Sequence, residues 1–581
     1  MRKPEALLNS RRALHTVLVA VTLWWSCGAH AASRTPVAAE HGMVVTAHRL
    51  ATEVGVDVLK RGGNAIDAAV AVGYALAVVF PVAGNIGGGG FMTIQLADGR
   101  TTFLDFRERA PLAASANMFL DANGNIVSGL STKGFLAAGI PGTVSGLEMA
   151  RSEYGSMSRS DLLAPAIKLA TDGFVLRQGD VDEMRYASAD LKKDAAASAI
   201  FFNQGAPYRV GERLVQKDLA FTLTQISQNG VAGFYQGPVE KALVAASVAG
   251  GGIFSDADFA SYTTREMAPV QCDYRGYHIV SSPPPSSGGV ILCEILNIVE
   301  GYPLKELGFH SADAIHYQIE AMRHAYVDRN SYLADPAFNN NPLQHLLDKQ
   351  YAAQIRAVID PDHAGISQQI KPGVAPHEGV NTTHFSIVDQ AGNAVSMTYT
   401  LNLSYGARVV AAGTGVILND EMDDFTSRLN SPNSFGLIQG QANSIAPGKR
   451  PLSSMTPTIV TRDGKPVVVL GTPGGSTITT AVALCIINLI DYGMNVQEAI
   501  DAPRFHQQWM PESTGAERFA ISPDTEAILK KMGHQLRPMG IANEVAAIVV
   551  GAPSLNGNPI GANRFYGVMD PRSDTGEALG Y

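Results

Sequence analysis

TTHFSIVDQAGNAVSMTYT, residues 382–400, reads as two strands, 382–389 and 394–400, around a Gln390-Ala391-Gly392-Asn393 break. A run of two-residue periodicity, a short Gly-containing break and a second β-rich run form the sequence signature of a β-hairpin. Because neighbouring strand residues point to opposite faces, Thr382, His384 and Ser386 share one face while Thr383, Phe385 and Ile387 share the other. The apolar face is expected to meet a core and the Thr382 face a site. Just before the hairpin, residues 361–381 are polar, rich in Pro and Gly and without apolar periodicity. That makes them the best linker in the chain. A Thr therefore opens a strand at the end of an irregular segment.

Outward from this hairpin, the chain alternates helical and strand patterns. Residues 50–79 are apolar at helical spacing and broken by Arg61-Gly62-Gly63-Asn64, which predicts two helices around a turn. Residues 91–96 and 101–106 flank Ala97-Asp98-Gly99-Arg100 and predict another hairpin. The stretch from about 140 to 350 is mainly helical by pattern. Further strands are expected at 466–470 and 545–550, with a helix at 479–492, and no internal repeat is present. Alone, these patterns imply a mixed α and β fold.

Composition narrows the function classes. With 581 residues, 46% hydrophobic and 17% charged, the chain can bury a large core. A net charge of −9 offers no phosphate-neutralising surface, so nucleic acid is not an expected partner. The start carries Arg2, Lys3, Arg11 and Arg12, then an apolar run from Ala13 to Trp25, then small residues ending at Ala31. This order predicts a secretory signal at 1–31 cleaved after Ala31, the alternative being a retained anchor helix. No membrane span is expected after its removal, and the product is expected to be periplasmic or secreted. Removal leaves 40 basic and 52 acidic residues, a charge of −12. The remaining cysteines are Cys272, Cys293 and Cys485, an odd number, with Cys293 and Cys485 in apolar runs. Disulfides are not expected to be the framework, nor a Cys the nucleophile.

Two glycine-rich stretches invite a nucleotide reading: GNIGGGGF (84–91) and GTPGGS (471–476). Neither has the Lys-Ser/Thr pair of a P-loop, and no cofactor is expected. Their glycines would instead permit close backbone approach with bare amides aimed at a ligand, or simply form tight turns. There is no GxSxG serine and no HExxH, and no metal site is expected.

The combination of NTTHFSIVD (381–389), TYTLN (398–402), LNDEMDDF (418–425), KRPLSSMTPTIV (449–460), GTPGGS, APRFHQQW (502–509), DFRERAP (105–111) and DPRS (570–573) resembles the γ-glutamyltranspeptidase family from about residue 40 to Tyr581. The resemblance implies an N-terminal nucleophile hydrolase fold, an α+β four-layer αββα sandwich. It also implies self-cleavage into a large subunit, 32–381, and a small one, 382–581, that stay together as a heterodimer. Glutathione and other γ-glutamyl donors would be the substrates, with amino acids, peptides or water as acceptors. Thr382 would be the nucleophile, Thr400 its orienting hydroxyl, and Gly474 and Gly475 the oxyanion donors. Arg107, Ser453 and Ser454 would hold the substrate's α-carboxylate, and Asn402, Glu421 and Asp424 its α-ammonium. Charge logic agrees, since a guanidinium suits a carboxylate and two acids suit an ammonium. Asp423 and Asp424, without the resemblance, read as a solvated turn.

Chemistry supports Thr382 independently. Its hydroxyl can attack the peptide bond before it, shifting the acyl group from N to O, and hydrolysis of the ester frees a new N-terminus. The freed α-amino group, with an ordinary pKa of about 7.7 to 8.0, then serves as base for the same residue's hydroxyl. His384 is better read as a hydrogen-bonded strand residue than a catalytic one. The rivals are a cephalosporin (glutaryl) acylase of the same superfamily, whose substrate lacks the α-ammonium, and an exported binding protein without turnover. Segment 432–439 (PNSFGLIQ) resembles the family's lid, with Phe435 where a tyrosine is usual. Loss of that hydroxyl predicts a looser lid.

Overall fold

A computed structural model describes residues 33–370, 382–540 and 543–581. The export signal read over 1–31 and the end of the linker, 371–381, lie outside the described residues. Fourteen strands make two seven-stranded antiparallel sheets. In chain order they are β1 (Val37–Ala39), β2 (Met43–Thr46), β3 (Gly89–Gln95), β4 (Thr101–Phe106), β5 (Arg265–Met267), β6 (Val270–Tyr274), β7 (Tyr277–Ser281), β8 (Thr383–Val388), β9 (Ala394–Thr400), β10 (Thr458–Arg462), β11 (Lys465–Gly471), β12 (Ala546–Val550), β13 (Phe565–Met569) and β14 (Glu577–Gly580). One sheet runs β14-β2-β8-β9-β3-β4-β5 and the other β1-β13-β12-β11-β10-β7-β6.

The 382–400 hairpin sits at the centre of the first sheet. β8 pairs with β9 from Thr383 opposite Tyr399 to Val388 opposite Ala394. Its turn is tied by Asp389, whose Oδ1 accepts from the N–H groups of Gly392 and Asn393 at 3.0 Å each. The other Asp389 oxygen accepts from the Ala65 N–H at 2.9 Å, joining the hairpin to a helix start.

That helix is one of a pair, α1 (Arg49–Lys60) and α2 (Ala65–Val79), as the broken apolar run predicts. Asn64 caps α2 by accepting from the N–H groups of Ile66 and Asp67, while Asp67 accepts from the Asn64 N–H. Caps of this kind contribute about 0.5–2 kcal/mol. Every residue of α2 is buried, which suits a helix apolar on all sides. α1, α2 and α3 (Thr143–Tyr154) cover the first sheet, and α4 (Gly288–Val299) and α6 (Thr477–Ile490) cover the second. α5 (Ala312–Tyr332) packs on α4. The two sheets face each other through β8, β9, β11 and β12, giving the expected αββα sandwich.

Two expectations need correction. The glycines of 84–91 do permit close approach, but to protein backbone: a Cβ on Gly88 would lie 2.0 Å from the Thr400 carbonyl oxygen, and one on Gly90 2.5 Å from that of Thr398. They let β3 lie against the strand that ends at Thr400. Cys272 and Cys293 form a disulfide with Cα atoms 5.9 Å apart, linking β6 to α4, and Cys485 stays free and buried. An odd count and an apolar setting carried no information on that distance.

The described part of the linker is held in place. Trp509 Nε1 donates to the carbonyls of Ser367 (2.9 Å) and Ile370 (3.0 Å), and Glu512 accepts from the Ser367 N–H (2.9 Å). Among the described residues no helix is long and apolar enough to cross a membrane.

Candidate active site

The face of the hairpin turned toward the second sheet is polar from Thr382 to Ser386 and from Ser396 to Thr400, and apolar only at its turn end, where Val388 and Ala394 join a small core between the sheets. Ser386 Oγ donates to the Ala546 carbonyl and Ser396 Oγ to that of Leu470, both at 3.0 Å. His384 lies between Thr398 Oγ1 (2.8 Å) and Ser386 Oγ (3.1 Å). Burial pushes its imidazole down to about 3, so it is neutral and fully engaged, the structural role expected of it. At the head of this stripe, Thr382 Oγ1 lies 3.2 Å from Thr400 Oγ1. The Asn402 N–H donates to Thr400 Oγ1 at 2.8 Å.

Thr382 and Thr400 line a tight cavity of about 20 Å³ with Arg107, Asn402, Glu421, Asp424, Ser453, Ser454 and Gly475. Nine of the ten residues named from the sequence thus converge on one small space. The tenth, Gly474, adjoins it through Gly475. Both glycines adopt positive φ, 139° and 56°, and neither N–H donates to a protein acceptor among the described residues. Free amides at a strand-to-helix turn are suited to an oxyanion.

Glu421 and Asp424 lie on a 3₁₀ turn, Glu421–Asp424, buried rather than solvated. Asp423 turns the other way, accepting from Ser131 Oγ (2.7 Å) and the Ser434 N–H (2.9 Å). Arg107 donates from Nη1 to Glu421 and from Nη2 to Asp424, each at 2.5 Å. The residues expected at opposite ends of the substrate are therefore paired with each other here. Burial raises both carboxyls above the ordinary range, against the pull of Arg107. Glu421 Oε2 is buried without a protein donor, and the equally buried Glu108 carboxyl lies against Glu421, a crowding of acids of the kind an ammonium relieves.

Phe435 covers this cavity with its ring on Gly475, where a Cβ would meet Phe435 Cδ1 at 2.4 Å. The segment is latched by Asn433 Nδ2 to Asp424 Oδ1 (3.2 Å), Gln439 Nε2 to the Asp424 carbonyl (2.9 Å) and Gln508 Nε2 to the Phe435 carbonyl (3.2 Å). Asn402 Nδ2 donates to the Asp420 carbonyl at 3.0 Å.

Sequence reasoning missed Arg329, which also lines the cavity. A usable signal was present. Ile315, Ile319, Met322, Tyr326 and Arg329 fall on one stripe of α5 at four- and three-residue spacing, and all are buried. The motifs around Arg504 and Arg572 are structural: both arginines pair with Asp570 away from the cavity, at 2.6 and 3.0 Å.

A possible cation cluster lies elsewhere. His316, Glu320 and His534 bring ligand atoms within 4.8 Å of one another. Hydrogen bonds already engage them, since His316 Nδ1 is 2.8 Å from His534 Nε2, His316 Nε2 donates to the Asp360 carbonyl at 2.8 Å, and Arg323 Nε donates to Glu320 at 3.3 Å. The threonine chemistry calls for no metal.

A family model described as Gamma-glutamyltranspeptidase matches residues 51–580. A glutathione hydrolase proenzyme of Pseudomonas sp. (strain A14) is 68% identical over 553 residues, covering 95% of this chain and 96% of its own. One from Escherichia coli (strain K12) is 46% identical, covering 94% and 93%. Among solved structures, a cephalosporin acylase from Bacillus halodurans is similar with a TM-score of 0.81 at 27% identity, over 96% of this chain and 98% of its own.

Proposed function

The chain belongs to the γ-glutamyltranspeptidase family, and from that premise we propose that Thr382 both cuts the chain and carries the γ-glutamyl group. The enzyme is a γ-glutamyltransferase and glutathione hydrolase of the N-terminal nucleophile type. In the unprocessed chain the Thr382 hydroxyl attacks the Asn381 carbonyl carbon, the peptide nitrogen leaves as the Thr382 amine, and water hydrolyses the ester. The products are a large subunit, 32–381, and a small subunit, 382–581. The paired sheets keep them together, since β8 and β9 lie between β2 and β3 of the large subunit. Export to the periplasm or medium follows from the leader.

In the mature enzyme the Thr382 amine takes the hydroxyl proton as Oγ1 attacks the γ-carbonyl, with Thr400 fixing the direction of approach. The Gly474 and Gly475 N–H groups stabilise the tetrahedral oxyanion, and the leaving amine takes the proton. Water, an amino acid or a peptide then accepts the acyl group by the same steps. The substrate's ammonium is held by Glu421, Asp424 and Asn402, and its α-carboxylate by Arg107, Ser453 and Ser454. Inserting that zwitterion between Arg107 and the two acids gives each of the three an opposite charge, which limits the desolvation penalty.

The observation that carries this reading is the Thr382–Thr400 hydroxyl pair at 3.2 Å in a cavity with two buried acids. Those acids also weigh against a glutaryl acylase, because its substrate brings no cation to meet them. The test is turnover of a γ-glutamyl anilide against a glutaryl anilide. A kcat/KM at least tenfold higher for the γ-glutamyl compound is expected, and equal or reversed values would favour the acylase.

A further inference from the structure

The α-amino acid end of the donor is a zwitterion, but the cavity's charges are not arranged as one cation facing two acids. Arg107 is already met by Glu421 and Asp424 at 2.5 Å each. Arg329, in the same wall, is 1% exposed and donates only to neutral oxygens. Its Nε reaches Ser287 Oγ (2.9 Å), its Nη1 Asn330 Oδ1 (3.0 Å) and Gln439 Oε1 (3.2 Å), and its Nη2 Ser454 Oγ (3.0 Å). Among the described residues no carboxylate forms an ion pair with it. Burial pushes its guanidinium down to about 10, which leaves it charged at neutral pH. A buried cation without a counter-ion is costly unless a ligand supplies one.

The position of this charge fixes which ligand group it can serve. A hydroxyl oxygen that accepts from a guanidinium must point its own hydrogen elsewhere, so Arg329 sets Ser454 as a donor. Through Ser287, whose Oγ accepts from Arg329 Nε and donates to the Ser453 carbonyl at 2.7 Å, it also braces the neighbouring serine. Three buried acids, Glu421, Asp424 and Glu108, the last with Oε2 3.6 Å from Arg107 Nη1 and its carboxyl pushed up by burial to about 7, crowd Arg107, so Arg329 is the second cation that offsets them around the substrate's zwitterion.

We propose that Arg329 is a substrate-binding residue that opposes the donor's α-carboxylate beside Ser454 and holds the Ser454 hydroxyl in its donor orientation. The proposal rests on the γ-glutamyl reading and adds to Arg107 a second cation on the carboxylate side. Competitive inhibition by L-glutamate, glutarate (no ammonium) and 4-aminobutyrate (no α-carboxylate) separates the contributions, with a γ-glutamyl anilide as reporter. In the processed enzyme, Arg329→Gln should raise Ki for L-glutamate and glutarate about tenfold or more and leave 4-aminobutyrate within about twofold, the size expected for a lost charged hydrogen bond. Arg329→Lys, which keeps the charge without the fork, should show the same pattern at about threefold or more and serves if the Gln variant does not mature. A uniform rise for all three inhibitors, or no rise, would overturn the proposal and leave Arg329 a packing residue. Failure of the wild-type enzyme to turn over the reporter would instead sink the γ-glutamyl reading.

Discussion

The two faces of the 382–400 hairpin are built from alternate residues of the same strands and carry opposite duties. Toward the helices, Phe385, Ile387, Val395, Met397 and Tyr399 are completely buried in the main apolar core. Toward the second sheet, Thr382, His384, Ser386, Ser396, Thr398 and Thr400 form a buried polar seam whose hydrogen bonds cross to β11 and β12. The apolar face supplies stability by excluding water, and the polar face fixes direction, because a hydroxyl bonded on one side can point only one way. A nucleophile at the end of such a seam is positioned by the fold without a histidine relay.

Breaking the polar face at its end should have the largest effect. Thr382→Ala is expected to remain one uncut chain with no activity, since one hydroxyl serves cleavage and turnover, whereas Thr382→Ser should still process. A denaturing gel decides it, and two subunits from the alanine variant would refute the mechanism. On the apolar face, Phe385→Ala should cost about 3–5 kcal/mol of stability, as for other large-to-small changes in a packed core. Denaturant unfolding measures that loss. Material that does fold should still cut before Thr382, and a shifted cut site would show that the faces are not separable.

Smaller effects belong to the cavity that the seam opens into. Asp424→Ala removes a charge-assisted contact of about 1.5–3 kcal/mol, so kcat/KM for glutathione should fall at least roughly tenfold while self-cleavage continues. An unchanged KM with failed processing would move Asp424 from substrate binding to maturation. Smallest of all is Phe435→Tyr. The lid is already latched through Asn433, Gln439 and Gln508, so one added neutral hydrogen bond, about 0.5–1.5 kcal/mol, should change relative kcat/KM for glutathione and a bulky γ-glutamyl anilide by at most about tenfold. No change in the ratio would mean the missing hydroxyl has no functional consequence.

Legibility in the sequence followed the same division. The hairpin, the two helices at its back and the facing of Thr382 could be read because side-chain alternation is a local property of the chain. Nine of ten proposed site residues reached the cavity through a resemblance whose motifs are short and specific. What failed was long-range. The glycines at 87–90 announced close approach but not its partners, which proved to be backbone: the Thr400 strand for Gly88 and Gly90, Ile417 for Gly87 and Phe106 for Gly89. Cys272 and Cys293 lie 21 residues apart, and only the packing of α4 on β6 brings them together. Asp423 and Asp424 looked solvated because two adjacent acids normally are, and Arg329 lies outside every motif that carries the resemblance. Its place on a buried stripe was visible, but the cavity at the end of that stripe was not.

The claim that Thr382 is the N-terminal nucleophile rests on where the chain is cut. Purified wild-type protein should give two bands on a denaturing gel, and N-terminal sequencing of the smaller one should read Thr-Thr-His-Phe-Ser, beginning at Thr382. A single full-length chain that nonetheless hydrolyses glutathione, or a small fragment beginning at any other residue, would contradict the account.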